Sequence, residues 1–394
     1  MSDINREALK KRIGIPPLPS RAGQPGGVGG GKRKRDYSPL SWDHFFDRKD
    51  DVKVKDKDTF RVYKSGDQGP LLLVLHGGGH SALSWALFTE SVTSLCICQV
   101  LAVDMRGHGD THTKNNVDLS ADVLAKDIED LIQSMYGDRP PPILLIGHSM
   151  GGAIAVHVGV QNLLPSLVGL AVIDVVEGTA LDALSSMQNF LKGRPQSFKS
   201  LEQGIEWSIR SGQVHNVKSA RISMVGQLIR CDSNSNKPDL VQPAIHTAHT
   251  TDTIKEEDEE NADEPGQPQT KNQKQSTSNN SGSSVPEKSE ECWKWRIDLS
   301  KTEQFWEGWF VDMSKLFLSC TVPKLLLLAG IDRLDRELTI GQMQGKFEMQ
   351  VLPHCGHCVH EDAPDKVAEV IASFLLRYKL TEAKGNFERH FPAC

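Results

Sequence analysis

Pro142-Ile-Leu-Leu-Ile-Gly147-His-Ser-Met-Gly-Gly152-Ala-Ile-Ala-Val156 is the stretch on which the fold turns. The apolar run Pro142 to Ile146 predicts a buried strand, and the small residues Ala153 to Val156 suit a helix. Between them stands Gly-His-Ser-Met-Gly. A serine offered for attack sits on a strained strand-to-helix turn, so the residues two before and two after it must be tiny to clear the neighbouring strand and helix. Gly147 and Gly151 meet that demand. The bare pattern is common by chance, but a strand before it and a helix after it are the context that gives it meaning. The stretch therefore predicts a serine nucleophile, Ser149, and a hydrolase.

Working outward, Phe60 to Tyr63 alternates like a strand, and Leu71 to Leu75 is an unbroken apolar run that leads into His76-Gly-Gly-Gly-His80. Gln99 to Val103 predicts a strand ending at Asp104-Met-Arg-Gly-His-Gly109. A helix follows Ser120, with Leu124, Ile128, Leu131 and Ile132 at helical spacing. Beyond the serine, Leu167 to Ile173 closes on Asp174, and further strands are predicted at Lys324 to Leu328 and Lys346 to Val351. A final amphipathic helix is expected after Pro364, with Val367, Val370, Ile371, Phe374 and Leu375 on one face. Fully apolar strands alternating with helices predict an α/β fold with a mostly parallel sheet covered on both faces.

Other segments break that alternation. Residues 180–230 carry helical patterns at Leu184 to Leu191, Ile205 to Ile209 and Ser219 to Ile229, which predicts a helical cap at about 179–230 over the sheet's C-terminal edge. Cys231 to Glu291 contains no Phe, Trp or Tyr and is dense in Ser, Asn, Gln, Pro, Asp and Glu. Too little apolar surface is available there to offset the entropy of ordering, so a disordered acidic insertion is expected. Residues 1–36 read as a disordered Gly-rich, basic tail, 37–230 and 292–381 as one catalytic domain, and 382–394 as a C-terminal extension.

The formal net charge of −6 over 394 residues disfavours a nucleic-acid binder, which needs a basic face. No apolar run is long enough to span a membrane, and the N-terminus lacks a signal peptide's apolar core. The 8 cysteines are scattered, which suits reduced thiols. A cytoplasmic protein is expected, with Lys32-Arg-Lys-Arg35 as a candidate nuclear import signal.

The chemistry is sought at the strands' carboxyl ends, where an open α/β sheet forms its ligand crevice. A serine hydroxyl needs a base to take its proton, and the base needs an acid to fix its tautomer. With the α/β-hydrolase chain order of serine, acid, histidine, the base is expected at His357, after the last strand in Leu352-Pro-His-Cys-Gly-His357. His354 and His360 compete with it. Two acids are open: Asp332, after the next-to-last strand and favoured by fold order, and Asp174, after the strand that follows the serine. An oxyanion needs preorganised N–H donors, for which Gly78 in the His-Gly-Gly-Gly loop and Met150, the residue after the serine, are the candidates. Cys355-Gly-His-Cys358 has the spacing of a dithiol motif, but its surroundings are not thioredoxin-like, and no distant ligand pair stands at metal spacing. No metal and no cofactor are expected.

Several longer runs carry a specific resemblance: Leu75-His-Gly-Gly-Gly-His-Ser-Ala-Leu-Ser-Trp85, Ile146 to His157, Ile173-Asp-Val-Val-Glu-Gly-Thr-Ala180, Ser186-Met-Gln-Asn-Phe-Leu191 and Thr339-Ile-Gly-Gln-Met-Gln-Gly-Lys346. Together they resemble the protein phosphatase methylesterases, over about Asp58 to Arg230 and Trp295 to Leu380. The resemblance implies an α/β-hydrolase that removes the methyl ester from the C-terminal leucine of the type 2A protein phosphatase catalytic subunit, alone or in its scaffold-containing complexes. It maps the family's triad onto Ser149, Asp174 and His357, which reverses the preference for Asp332 and leaves that residue as the fallback acid. Cys358 departs from the small, uncharged residue usual after this histidine. The aromatic run at Trp306 and Trp309 is expected either to accommodate the substrate's apolar tail or to belong to the core. Two other functions stay open: a non-catalytic clamp on the phosphatase, with Glu256 to Glu260, Asp263 and Glu264 docking a basic groove, and a general carboxylesterase or lipase.

Overall fold

Strands β3 (Leu71–Leu75), β5 (Ile143–His148) and β10 (Lys324–Leu328) are buried along their whole length. Successive side chains of a strand point to opposite faces, and here they feed two separate cores. Leu71, Leu73, Leu75, Ile143, Leu145, Leu326 and Leu328 join one, while Leu72, Val74, Leu144, Ile146, Leu325 and Leu327 join the other. A sheet apolar on both faces must be covered on both faces. Helix α2 (Ala121–Tyr136) and helix α3 (Met150–Val160) supply Leu124, Ile128, Ala153 and Ile154 to the first core. Helix α1 (Ala86–Leu95) and the C-terminal helix Pro364–Arg377 supply Phe88, Val92, Val367, Ile371 and Phe374 to the second.

The computed structural model describes residues 35–55, 58–231, 292–330 and 334–388. Its main sheet has 8 strands in the order β1-β2-β4-β3-β5-β6-β10-β11. Here β1 is Arg48–Val54, β2 Asp58–Ser65, β4 Gln99–Val103, β6 Leu167–Ile173 and β11 Glu348–Val351. The pairs β1–β2 and β2–β4 are antiparallel and the remaining pairs parallel, so the loops after β3, β5, β6, β10 and β11 all leave one edge. The fold is the mostly parallel, doubly covered α/β sheet expected from the sequence.

The departures are local. Strand β1 was not expected, because Arg-Lys-Asp-Asp-Val-Lys-Val carries hardly any apolar signal; it is the sheet's edge strand, where charged side chains are ordinary. Strand β11 starts at Glu348 rather than Lys346. The segment expected to be a purely helical cap holds the helices Glu177–Gly193, Leu201–Arg210 and Val217–Gln227 and also a small sheet of order β7-β9-β8. In it β7 is Ser197–Phe198, β8 Leu228–Cys231 and β9 Cys292–Trp295. Cys231, read as the first residue of the insertion, therefore ends a strand and pairs across it with Cys292. The rest of the expected insertion, with Glu256 to Glu260, lies outside the described residues, as do Lys32, Arg33 and Lys34. Trp306 and Trp309 lie in the first core, Trp309 donating from its ring nitrogen to Leu119 O at 2.7 Å and Trp306 to Thr302 Oγ1 at 2.8 Å. Both are core residues. No helix among the described residues is long and apolar enough to cross a membrane.

Candidate active site

Ser149 stands between β5 and α3 with φ 51° and ψ −121°. A non-glycine residue with positive φ is strained, and such strain persists only where the surroundings fix it. They do so here: Ser149 N donates to Ile173 O at 3.0 Å, and Gly152 N and Ala153 N donate back to Ser149 O. The glycines make the turn possible. A Cβ on Gly147 would lie 2.1 Å from Gly151 O, and one on Gly151 would lie 2.5 Å from both His76 O and Leu75 O.

Asp174, at the end of β6, also has positive φ, 51°, and is 3% exposed. Its Oδ1 accepts from Ala329 N at 2.9 Å, and its Oδ2 lies 2.8 Å from His357 Nδ1. A carboxylate can only accept there, so Nδ1 carries the proton and Nε2 of the half-exposed ring keeps its lone pair. Asp332, the fallback acid, lies outside the described residues. His354 is exposed on the same loop, and His360 is buried against the rings of Trp85 and His148, with centroids 4.2 and 4.5 Å away.

Three residues not singled out from the sequence hold the histidine loop. His148, inside the serine motif, has Nε2 2.8 Å from His357 O, which only accepts. Asp362 receives Gly356 N on Oδ2 at 2.7 Å, and the same carboxylate binds both the backbone N and the Nδ1 of His215 from the cap. The position of His148 within its motif was the one available hint; His215 and Asp362 are 147 residues apart and carried none.

The glycine loop after β3 is pinned from behind by neutral histidines. His76 Nδ1 donates to Gly77 O at 2.8 Å and Nε2 accepts from Met105 N; His108 Nε2 accepts from Gly79 N at 3.0 Å. Burial lowers the pKa of His108 to about 4 and that of His76 well below its ordinary value. Gly78 lies between these fixed points, partly exposed, and a Cβ there would sit 3.8 Å from Met150 Sδ. Met150 is the first residue of α3, so its N–H has no partner inside the helix. Leu299, just after β9, covers the loop, since a Cβ on Gly79 would be 2.7 Å from its Cδ1. Burial pushes the Cys358 thiol well above its ordinary range, which disfavours the reactive thiolate that a dithiol motif needs.

The alpha/beta hydrolase family matches residues 72–370. "Protein phosphatase methylesterase 1" of Mus musculus and that of Homo sapiens are each 54% identical to the chain, covering 98% of it and 100% of their own length. The "Probable protein phosphatase methylesterase 1" of Caenorhabditis elegans is 40% identical over 94% of the chain and 84% of its own length. Among solved structures, E-2-(acetamidomethylene)succinate hydrolase superposes with a TM-score of 0.56 at 19% identity, covering 83% of this chain and 98% of its own. At that identity the likeness speaks for the fold alone. A serine on a strained strand-to-helix turn, in a fold that also ties a histidine to a buried carboxylate, agrees with the family match and the full-length relatives: the chain belongs to the alpha/beta hydrolase family and, within it, to the protein phosphatase methylesterases.

Proposed function

We propose that this serine esterase hydrolyses the methyl ester on the C-terminal leucine of the type 2A protein phosphatase catalytic subunit, free or in its scaffold-containing complexes, through an acyl-enzyme on Ser149. The observation that carries the reading is the 2.8 Å contact between His357 Nδ1 and Asp174 Oδ2, which leaves the other ring nitrogen available as the base. Ser149 Oγ attacks the ester carbonyl as His357 Nε2 takes its proton. The oxyanion that forms is held by the N–H groups of Gly78 and Met150. As the C–O bond breaks, His357 returns the proton to the leaving methoxide and methanol departs. Water then attacks the acyl-enzyme, giving its proton to His357, and collapse frees Ser149 and the leucine carboxylic acid, which ionises in water. Asp174 keeps the imidazole oriented and stabilises its charged form. All the proton transfers run through His357.

Loss of the C-terminal methyl ester from carboxymethylated catalytic subunit, followed with the parent protein and with Ser149→Ala, tests this reading. The parent should remove the ester and the variant should be slower by about 10⁶-fold in kcat. If neither removes it while both bind the phosphatase, the chain is a clamp; rapid turnover of unrelated fatty esters would make it a general carboxylesterase.

A further inference from the structure

His80 and Cys358 stand 278 residues apart in sequence, yet Cys358 Sγ lies 3.7 Å from His80 Nε2. Glu361 joins them, its Oε1 3.2 Å from His80 Nδ1. One ligand atom from each of the three residues falls within 4.8 Å of the others. All three are buried, with exposures of 9% for His80, 2% for Cys358 and 0% for Glu361. The contact between His80 Nδ1 and Glu361 Oε1 is short but not aligned as a hydrogen bond, and both atoms are without a hydrogen-bond partner among the described residues. The other carboxylate oxygen is satisfied, accepting from Ser219 Oγ at 3.0 Å. Leaving a buried polar atom unpaired costs about 1–3 kcal/mol, so two such atoms facing one another call for a partner.

We propose that His80, Cys358 and Glu361 bind a zinc ion, with water as its fourth ligand, and that zinc held there inhibits the esterase. A nitrogen, a sulfur and an oxygen donor suit zinc and exclude the all-oxygen preference of magnesium or calcium. Tetrahedral zinc, with bonds of about 2.0–2.3 Å, sets its ligands roughly 3.3–3.7 Å apart. The three ligand atoms, all within 4.8 Å of one another, need only small movements to reach that separation. On binding, the Cys358 thiol gives up its proton to solvent, and thiolate and carboxylate together neutralise the dication, so no net charge is buried.

The inhibition follows from where the ligands sit. Cys358 is bonded directly to His357, the proposed base, and His80 stands two residues beyond Gly78 in the proposed oxyanion loop. Zinc would tie these two loops to each other. A displacement of about 1 Å in such a site lowers the rate roughly 10²-fold. This half of the proposal rests on the serine esterase reading, while the binding half does not.

The test uses the full-length protein, freed of metal with a chelator and dialysed against zinc or cobalt. The parent should retain one equivalent of zinc that both Cys358→Ser and Glu361→Gln lose. Cobalt in the parent should give a thiolate-to-metal charge-transfer band in the near ultraviolet that is absent from Cys358→Ser. Equal zinc in all three proteins, or a cobalt complex without that band, overturns the site. Added zinc should lower ester hydrolysis by the parent at least about tenfold, and that of Cys358→Ser far less, each relative to its own metal-free rate. A bound metal with no effect on the rate overturns the inhibition. A metal-free parent that hydrolyses no ester at all overturns the esterase reading and leaves the binding result standing.

Discussion

Asp174 is held from two directions, by Ala329 N on Oδ1 and by His357 Nδ1 on Oδ2. Asp174→Asn would keep its oxygen toward Ala329 and turn its amide N–H groups to the histidine. Nδ1 would then have to accept, Nε2 would carry the proton, and the base would be lost. We expect kcat to fall by about 10⁴-fold with the fold intact, and Asp332→Asn to stay near the parent rate. Steady-state kinetics on both variants decide between the acids, and the reverse result would transfer the role to Asp332. Sequence order had placed Asp332 first because the loop after the next-to-last strand is the commoner position for this residue. What order does not carry is direction: a short φ 51° turn at the end of β6 aims the Asp174 carboxylate at the loop after β11.

At the scale of elements, the turn between β5 and α3 depends on atoms that cannot move aside. Alanine at Gly147 or Gly151 meets backbone oxygens at 2.1 to 2.5 Å, so the helix must shift from β3 or the turn must open. A destabilisation of at least about 1–3 kcal/mol is expected from denaturant unfolding, together with loss of activity because Ser149 moves. The small sheet makes a different prediction. Cys231 faces Cys292 across an antiparallel pair, so Asn-Gly in place of residues 232–291 should close β8 and β9 as a two-residue hairpin. We expect that shortened protein to keep its melting temperature and its hydrolysis of small esters; a large fall in either would mean that the removed residues support the fold. The strands β3, β5, β6 and β10 were legible as apolar runs because both of their faces are buried. Strand β1 was not, being polar at the sheet's edge, nor were β7, β8 and β9, which are short and supported by an antiparallel partner distant in sequence.

For the whole molecule, the buried histidines set the response to acid. His76, His108, His148 and His360 all have lowered pKa values, first through burial and then through neighbouring histidines. They stay neutral in the fold, whereas in the unfolded chain they take up protons below about 6.5. Their contribution is therefore complete above pH 6.5 and lost as the pH falls, toward about 4 for His108. His108 alone should cost on the order of 2 kcal/mol at pH 5. Asp104 acts the other way. Burial raises its pKa to about 6, so its contribution is present below the ordinary carboxylate pKa and lost as the pH rises through 6. Asp127, which burial also raises, joins Asp104, and His157, which burial also lowers, joins the four imidazoles. With five imidazoles against two carboxylates, the melting temperature should drop clearly between pH 7.5 and pH 5, and an unchanged value would mean that these histidines are hydrated. By itself the sequence determined the strand-to-helix turn at Ser149, the apolar strands of the parallel sheet and the loops on which polar residues stand, because periodicity and glycine spacing are local properties of the chain. Only the tertiary structure decided that His357 meets Asp174, that His215 braces Asp362, and that His80 closes on Cys358 and Glu361. Those meetings depend on strand order and loop direction, which no local stretch of residues encodes.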